Sequence, residues 1–118
     1  MKKILVVDDD PEVLNVVKLL LSYNNYAVKA IRKWQVITQT IQQFKPDIIL
    51  LDIDLGGADG SEICKQLKKS EETKDVPVIL ISAYSMPDAY FKRCNAQGFI
   101  GKPFEISSLL ETIKDHLN

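Results

Sequence analysis

Several apolar runs in this chain stop on residues that can do chemistry. Ile4-Leu5-Val6-Val7 ends at Asp8-Asp9, Ile48-Ile49-Leu50-Leu51 at Asp52, Val78-Ile79-Leu80-Ile81 at Ser82, and Phe99-Ile100-Gly101 at Lys102. A buried strand has no structural reason to finish on a carboxylate. Three carboxylates brought together would repel, since like charges about 4 Å apart cost about 4 kcal/mol at an effective dielectric of about 20. A divalent cation removes that penalty. Oxygen donors without His or Cys select a hard ion, and Mg²⁺ suits a site that keeps waters. Lys102 adds a point charge for a phosphate oxygen, and Ser82 adds a hydroxyl donor. An acid nucleophile, a metal and a lysine together make a phosphoryl-transfer site.

The elements that must position these residues are legible from hydrophobic pattern. Continuous apolar runs read as strands buried on both faces. Asp10-Pro11 is a helix start, with Asp as cap and Pro at the first helical position, and Val13, Val16, Val17 and Leu20 carry a helix to about Tyr23. Ala27 to Ile31 reads as an edge strand. Trp34, Ile37, Ile41 and Phe44 share a helical face that ends at Lys45-Pro46. After Asp52, Gly56-Gly57 makes a loop. Asp59 with Glu62 resembles a capping box for a helix from Gly60 to about Lys69. The third buried strand runs from Val76 to Ile81 and ends on Ser82. Ser85-Met86-Pro87-Asp88 opens a short helix closed by Gly98, and Ile106, Leu109, Leu110, Ile113 and Leu117 form a last helical stripe.

The result is five β-α units. Strands alternating with helices imply a parallel sheet covered on both faces, a three-layer αβα sandwich. Five strands fit the flavodoxin-like order 2-1-3-4-5, whose switch point lies between strands 1 and 3. All strand ends then meet at one edge, and Asp8, Asp9, Asp52, Ser82 and Lys102 converge there.

Composition narrows the alternatives. The 118 residues are 46% hydrophobic and 26% charged, with a formal net charge of −1. That is one globular domain, 1–118, with no basic field for nucleic acid or anionic membrane. No apolar run approaches the roughly 20 residues of a membrane span, and the run before Asp8 is too short for a signal peptide. Cys64 and Cys94 lack metal-ligand spacing and read as buried or half-buried thiols of a cytoplasmic protein. Asp10 and Asp59 read as helix caps.

The pieces Val7-Asp8-Asp9-Asp10-Pro11, Ile49-Leu50-Leu51-Asp52, Asp59-Gly60, Ile81-Ser82-Ala83 and Lys102-Pro103-Phe104 resemble, in this order and spacing, the receiver domain of two-component response regulators, the family of the chemotaxis regulator. The resemblance spans essentially the whole chain. It implies that Asp52 is the phosphoacceptor. It implies that Asp9, Asp52 and the backbone carbonyl of Asp54 ligate Mg²⁺, with Asp8 acting through water. Lys102, Ser82 and the Ala83 amide would contact the phosphoryl group. Ser82 and Phe99 would form the switch, and the Lys102-Pro103 bond would be cis. The implied partners are a histidine kinase or histidine phosphotransfer protein and a downstream protein. Nucleic acid and membrane are not among them, and the chain would be a monomer or a weak phosphorylation-dependent dimer. The stretch ends with its last helix, so the expectation is a receiver without an effector domain.

Three departures stand out. The family usually has Pro where this chain has Gly56, so a looser loop is expected. Asp54 and Tyr84 occupy positions that, in the family this chain resembles, tune acyl-phosphate lifetime. The stretch from Ser82 to Lys102 is about two residues shorter than in the chemotaxis regulator, which implies a shortened fourth helix. Competing readings are weaker. Leu51-Asp52-Ile53-Asp54 resembles the nucleophile motif of haloacid-dehalogenase-type phosphatases, but their nucleophile strand comes first and their acid pair follows the lysine. A pseudo-receiver kept only for interaction has no need of this intact set of acids, Ser and Lys. A phosphate sink or relay without its own output uses the same chemistry and stays open.

Overall fold

A computed structural model describes residues 1–83 and 94–117. The strands are β1 (Lys3–Val7), β2 (Ala27–Ile31), β3 (Ile48–Asp52), β4 (Val78–Ser82) and β5 (Gly98–Gly101), and the described helices are α1 (Pro11–Tyr23), α2 (Ile37–Phe44), α3 (Gly60–Lys69) and α4 (Ile106–His116). The strands are all parallel, in the order β2-β1-β3-β4-β5. This is the flavodoxin-like arrangement expected. The short helix expected from Ser85, and Tyr84, lie outside the described residues.

The alternation of side chains sorts the core into two layers. Ile4 and Val6 of β1, Ile48 and Leu50 of β3, Ile79 and Ile81 of β4 and Ile100 of β5 pack on Leu14, Val17 and Leu21 of α1 and on Leu109 and Ile113 of α4. The intervening residues, Leu5, Val7, Ile49, Leu51, Val78 and Leu80, pack on Ile37 and Ile41 of α2 and Cys64 and Leu67 of α3. Every residue of β3 and β4 is buried, which is why those runs carry no polar alternation.

The helix boundaries follow local chemistry. The Asp10 side chain accepts from the Glu12 amide and Pro11 opens α1. Asp59 accepts from the Ser61 amide and hydroxyl and caps α3. A 3-10 turn, Trp34–Val36, precedes α2, and Lys45 ends that helix in the left-handed region at φ 53°. The residues that set the helical spacing of α1 share its buried face only in part. Val17 is buried and Val13 packs half-buried on the core, where Leu14 and Leu21 join them, whereas Val16 is 55% exposed and Leu19 71% exposed. Apolar residues cover more of this helix than its core contact needs, so periodicity alone does not single out the inward face. Before β5 the left-handed residue is Asn95, at φ 61°, and Gly98 is the first residue of the strand.

Cys64 and Cys94 are free and buried. Burial, with Cys94 alongside, pushes the Cys64 thiol up to about 12, so it stays a protonated core residue. No helix among the described residues is long and apolar enough to cross a membrane.

The layer assignment has a measurable consequence. Leu50 is wholly buried between β1, β4 and the covering helices. Leu50→Ala should lower unfolding free energy by about 2–5 kcal/mol. Val16→Ala, on the exposed side of α1, should stay within about 0.5 kcal/mol. Urea unfolding of the two variants checks this, and equal losses would contradict the assignment.

Candidate functional site

The register staggers the strand ends so that their last residues meet. Val7 pairs with Leu51, which sets Asp8 beside Asp52; Asp52 pairs with Ile81, and Ser82 with Gly101, which brings Lys102 up to the same edge. Alternation decides which face each side chain joins. Asp8, Asp52 and Lys102 continue the rows of Val6, Leu50 and Ile100, on the α1–α4 face. Ser82 continues the row of Leu80, on the α2–α3 face, and Phe99 packs there half-buried.

Lys102 is the centre of the first group. Its Nζ donates to Asp8 Oδ2 at 2.8 Å and to Asp52 Oδ2 at 2.9 Å. The remaining oxygens are also engaged. Asp8 Oδ1 accepts from the Asp10 amide at 2.9 Å and Asp52 Oδ1 from the Asp54 amide at 3.1 Å. Asp8 is 2% exposed and Asp52 6% exposed, so one ammonium offsets two desolvated carboxylates. Burial raises the Asp52 carboxyl above its ordinary range and the nearby Asp8 charge adds to this, against the opposing hydrogen bonds from Lys102 and the Asp54 amide. Burial works to lower the Lys102 ammonium, but its bonds to Asp8 and Asp52 outweigh that and the net direction is upward.

The other expected residues sit around this pair. Asp9 is exposed; its carboxylate lies against Gly56, and its backbone carbonyl accepts from Arg32 Nε at 3.3 Å. Asp54 is exposed and its Oδ1 accepts from the Gly56 amide at 3.3 Å. Ser82 is buried, its carbonyl accepts from the Lys102 amide at 2.7 Å, and Ala83 follows at the exposed strand end. The Lys102-Pro103 peptide is cis. Among the described residues, no three His, Cys, Asp or Glu side chains are drawn together closely enough to enclose a metal ion. Asp8 and Asp52 face the ammonium while Asp9 stands at the rim. In kind, the donors fit a hard cation: all are oxygens, from carboxylates and one backbone carbonyl, and Lys102 alone leaves the site with excess negative charge.

Two glycines matter more than the sequence suggested. A Cβ at Gly60 would run into the Asp52 carbonyl and the Ile53 Cα, so α3 can start directly against the strand that carries Asp52 only with glycine there. The loop from Ile53 to Asp59 carries its own ties. The Leu55 amide donates to the Ala58 carbonyl at 3.2 Å, the Gly60 amide to the Ile53 carbonyl at 2.8 Å, and Leu55 is buried. Gly56 supplies a left-handed turn at φ 70°, which Pro cannot adopt. The Arg32 contact carries no sequence signal, because nothing in the pattern ties the end of β2 to Asp9.

A pH dependence follows. A carboxyl raised on folding contributes stability that is fully present below its ordinary value of 3.8 and is lost as pH rises through the folded value. In metal-free protein, Asp52→Asn should therefore gain stability relative to the parent as pH rises from below 3.8 towards neutrality. Urea midpoints of both proteins across that range, in chelator, provide the check. A difference that stays constant or shrinks would show that the Lys102 bond outweighs desolvation.

Comparison with known proteins places this geometry in a family. The response regulator receiver domain profile matches residues 4–114. The polar-differentiation response regulator DivK of Brucella ovis is 28% identical, with 98% of this chain and 96% of DivK covered. The DNA-binding dual master transcriptional regulator RpaA of Synechocystis is 28% identical over 97% of this chain, which spans about half of RpaA (48%). Among solved structures, the chemotaxis protein CheY4 of Vibrio cholerae superposes with a TM-score of 0.92 at 25% identity, covering 99% of both chains. The response regulator TrrA of Thermotoga maritima, solved with Mg²⁺-BeF, superposes at 0.88 with 29% identity, covering 99% of this chain and 100% of that one. Receiver domains interact with histidine kinases and downstream effectors and are signalling switches, not classical enzymes. The chain belongs to the response regulator receiver domains, the phosphorylatable switches of two-component signalling.

Proposed function

We propose that residues 1–118 act as one receiver unit in which Asp52 is the phosphoacceptor. The observation that carries this is the pair of bonds from Lys102 Nζ to Asp8 and Asp52 at the ends of β1 and β3. An Asp52 carboxylate oxygen attacks the phosphorus of a phosphohistidine on a histidine kinase or histidine phosphotransfer protein. The new bond is O–P, the broken bond is P–N, and the imidazole leaves. Lys102 then holds an oxygen of the bound group, and the Ser82 hydroxyl and Ala83 amide, at the end of the adjacent strand, hold others. Asp9, Asp52 and the Asp54 carbonyl, with Asp8 through water, would hold a Mg²⁺, which supplies charge neutralisation for the transferring group. In this reading the chain assists its own phosphorylation and dephosphorylation.

Access and output use different surfaces. Beside Lys102, a groove of about 500 Å³ runs between Val13, Val16 and Val17 of α1 and Pro103 and Phe104. Its apolar wall opens next to the site and suits a phosphodonor helix. Output runs through Ser82 and Phe99 to β5 and α4, and onward to a protein partner rather than DNA. A few kcal/mol of differential stabilisation suffices to invert such a two-state population. The unit works in the cytoplasm, as a monomer or a weak phosphorylation-dependent dimer.

With Mg²⁺ and acetyl phosphate or a phosphohistidine donor, intact-mass analysis should show one added phosphoryl group, absent in Asp52→Asn. Undiminished labelling of that variant would sink the assignment. Amide shifts on adding beryllofluoride test the output route. Changes confined to the loops around Asp9, Asp52 and Lys102, with Phe99 silent, would leave a relay or sink without propagated output.

A further inference from the structure

We infer that Gly56 is a positioning residue for Asp9, and that the absence of a side chain there sets the strength with which this chain holds a divalent cation. The inference rests on the metal-site reading above and extends it to a residue outside the ligand set. A Cβ built on Gly56 would stand 2.9 Å from Asp9 Oδ2, 3.2 Å from Cγ and 3.3 Å from Oδ1. The three nearest heavy atoms all belong to the Asp9 carboxylate.

The loop is tied at several points. Its start is tied by the Gly60 amide on the Ile53 carbonyl, its middle by the Leu55 amide on the Ala58 carbonyl, and its flank by the Asp54–Asp59 bridge. Leu55, the residue before Gly56, is 3% exposed and packs in the α2–α3 layer. The Asp54 carboxylate accepts the Gly56 amide and holds the turn from its other side. Asp9, by contrast, is an exposed side chain that can rotate. A side chain at position 56 therefore displaces the Asp9 carboxylate from the place it holds beside the turn.

The adjacent glycine supplies the control. A Cβ on Gly57 would have nothing within 4 Å, and its backbone is not left-handed. Two effects at Gly56 also need separating, because φ 70° is itself unfavourable for Ala. Asn tolerates that region far better than Ala and still carries a Cβ. Gly56→Asn thus keeps the turn and tests the space.

The experiment is calorimetric Mg²⁺ titration of unphosphorylated protein, with circular dichroism to confirm that each variant is folded. Gly56→Ala and Gly56→Asn should each weaken Mg²⁺ binding about tenfold or more, the scale on which residues that orient ligands act. Gly57→Ala should bind as the parent does. In an Asp9→Asn background, Gly56→Asn should add no further loss, because the carboxylate it displaces is already gone. Parent-like affinity in Gly56→Asn, or a full additional loss in the Asp9→Asn background, would overturn the inference while leaving the metal site intact. If parent and Asp9→Asn bind Mg²⁺ alike, the metal-site reading itself fails, and the inference with it.

Discussion

One ammonium group shared by two buried carboxylates organises the functional edge of this molecule. Asp8 and Asp52 end neighbouring strands, so the pairing that builds the centre of the sheet also forces two negative charges together. Without a cation, such a pair is expensive to keep out of water. Lys102 offsets part of that expense and fixes the orientation of both carboxylates, and the amides of Asp10 and Asp54 take the oxygens it leaves over. One ammonium against two carboxylates leaves the pair short of neutral, and burial, with the Asp8 charge beside it, holds the Asp52 carboxyl above its ordinary range. A site left short of positive charge is poised to gain from whatever cation or hydrogen-bond donors accompany a bound anion.

The sheet also divides the labour. Charged residues extend the row covered by α1 and α4, and the Ser82–Phe99 pair extends the row covered by α2 and α3. The two rows touch through backbone: the Lys102 amide donates to the Ser82 carbonyl across β4 and β5. The last rung of the ladder at the sheet edge thus joins the two faces without crossing the core.

Strand content and topology were legible because β3 and β4 are buried on both faces, and nothing but continuous apolar sequence satisfies that. The caps at Asp10 and Asp59 were legible for a different reason, since their side chains replace missing helical partners locally. The buried face of α1 was legible only in part: Val17 is buried and Val13 packs on the core, but Val16 is as apolar as Leu14 and Leu21, and only the sheet decides which of them turns inward. The convergence of Asp8, Asp52 and Lys102 followed from strand ends alone. The placement of Asp9 did not, because its carboxylate lies against the turn at Gly56 and its carbonyl takes a bond from Arg32, which are matters of loop geometry rather than of periodicity.

The bonds that balance the site join residues very far apart along the chain. Lys102 lies 94 positions from Asp8 and 50 from Asp52, whereas the two acids are already neighbours once β1 and β3 pair. The first half of the polypeptide can thus assemble the repulsion but not its remedy. Loop-closure entropy makes such long-range contacts slow to form. The charge balance of the site is consequently a property of the completed chain: a fragment ending before β5 would carry the acids of the centre with no lysine to hold them.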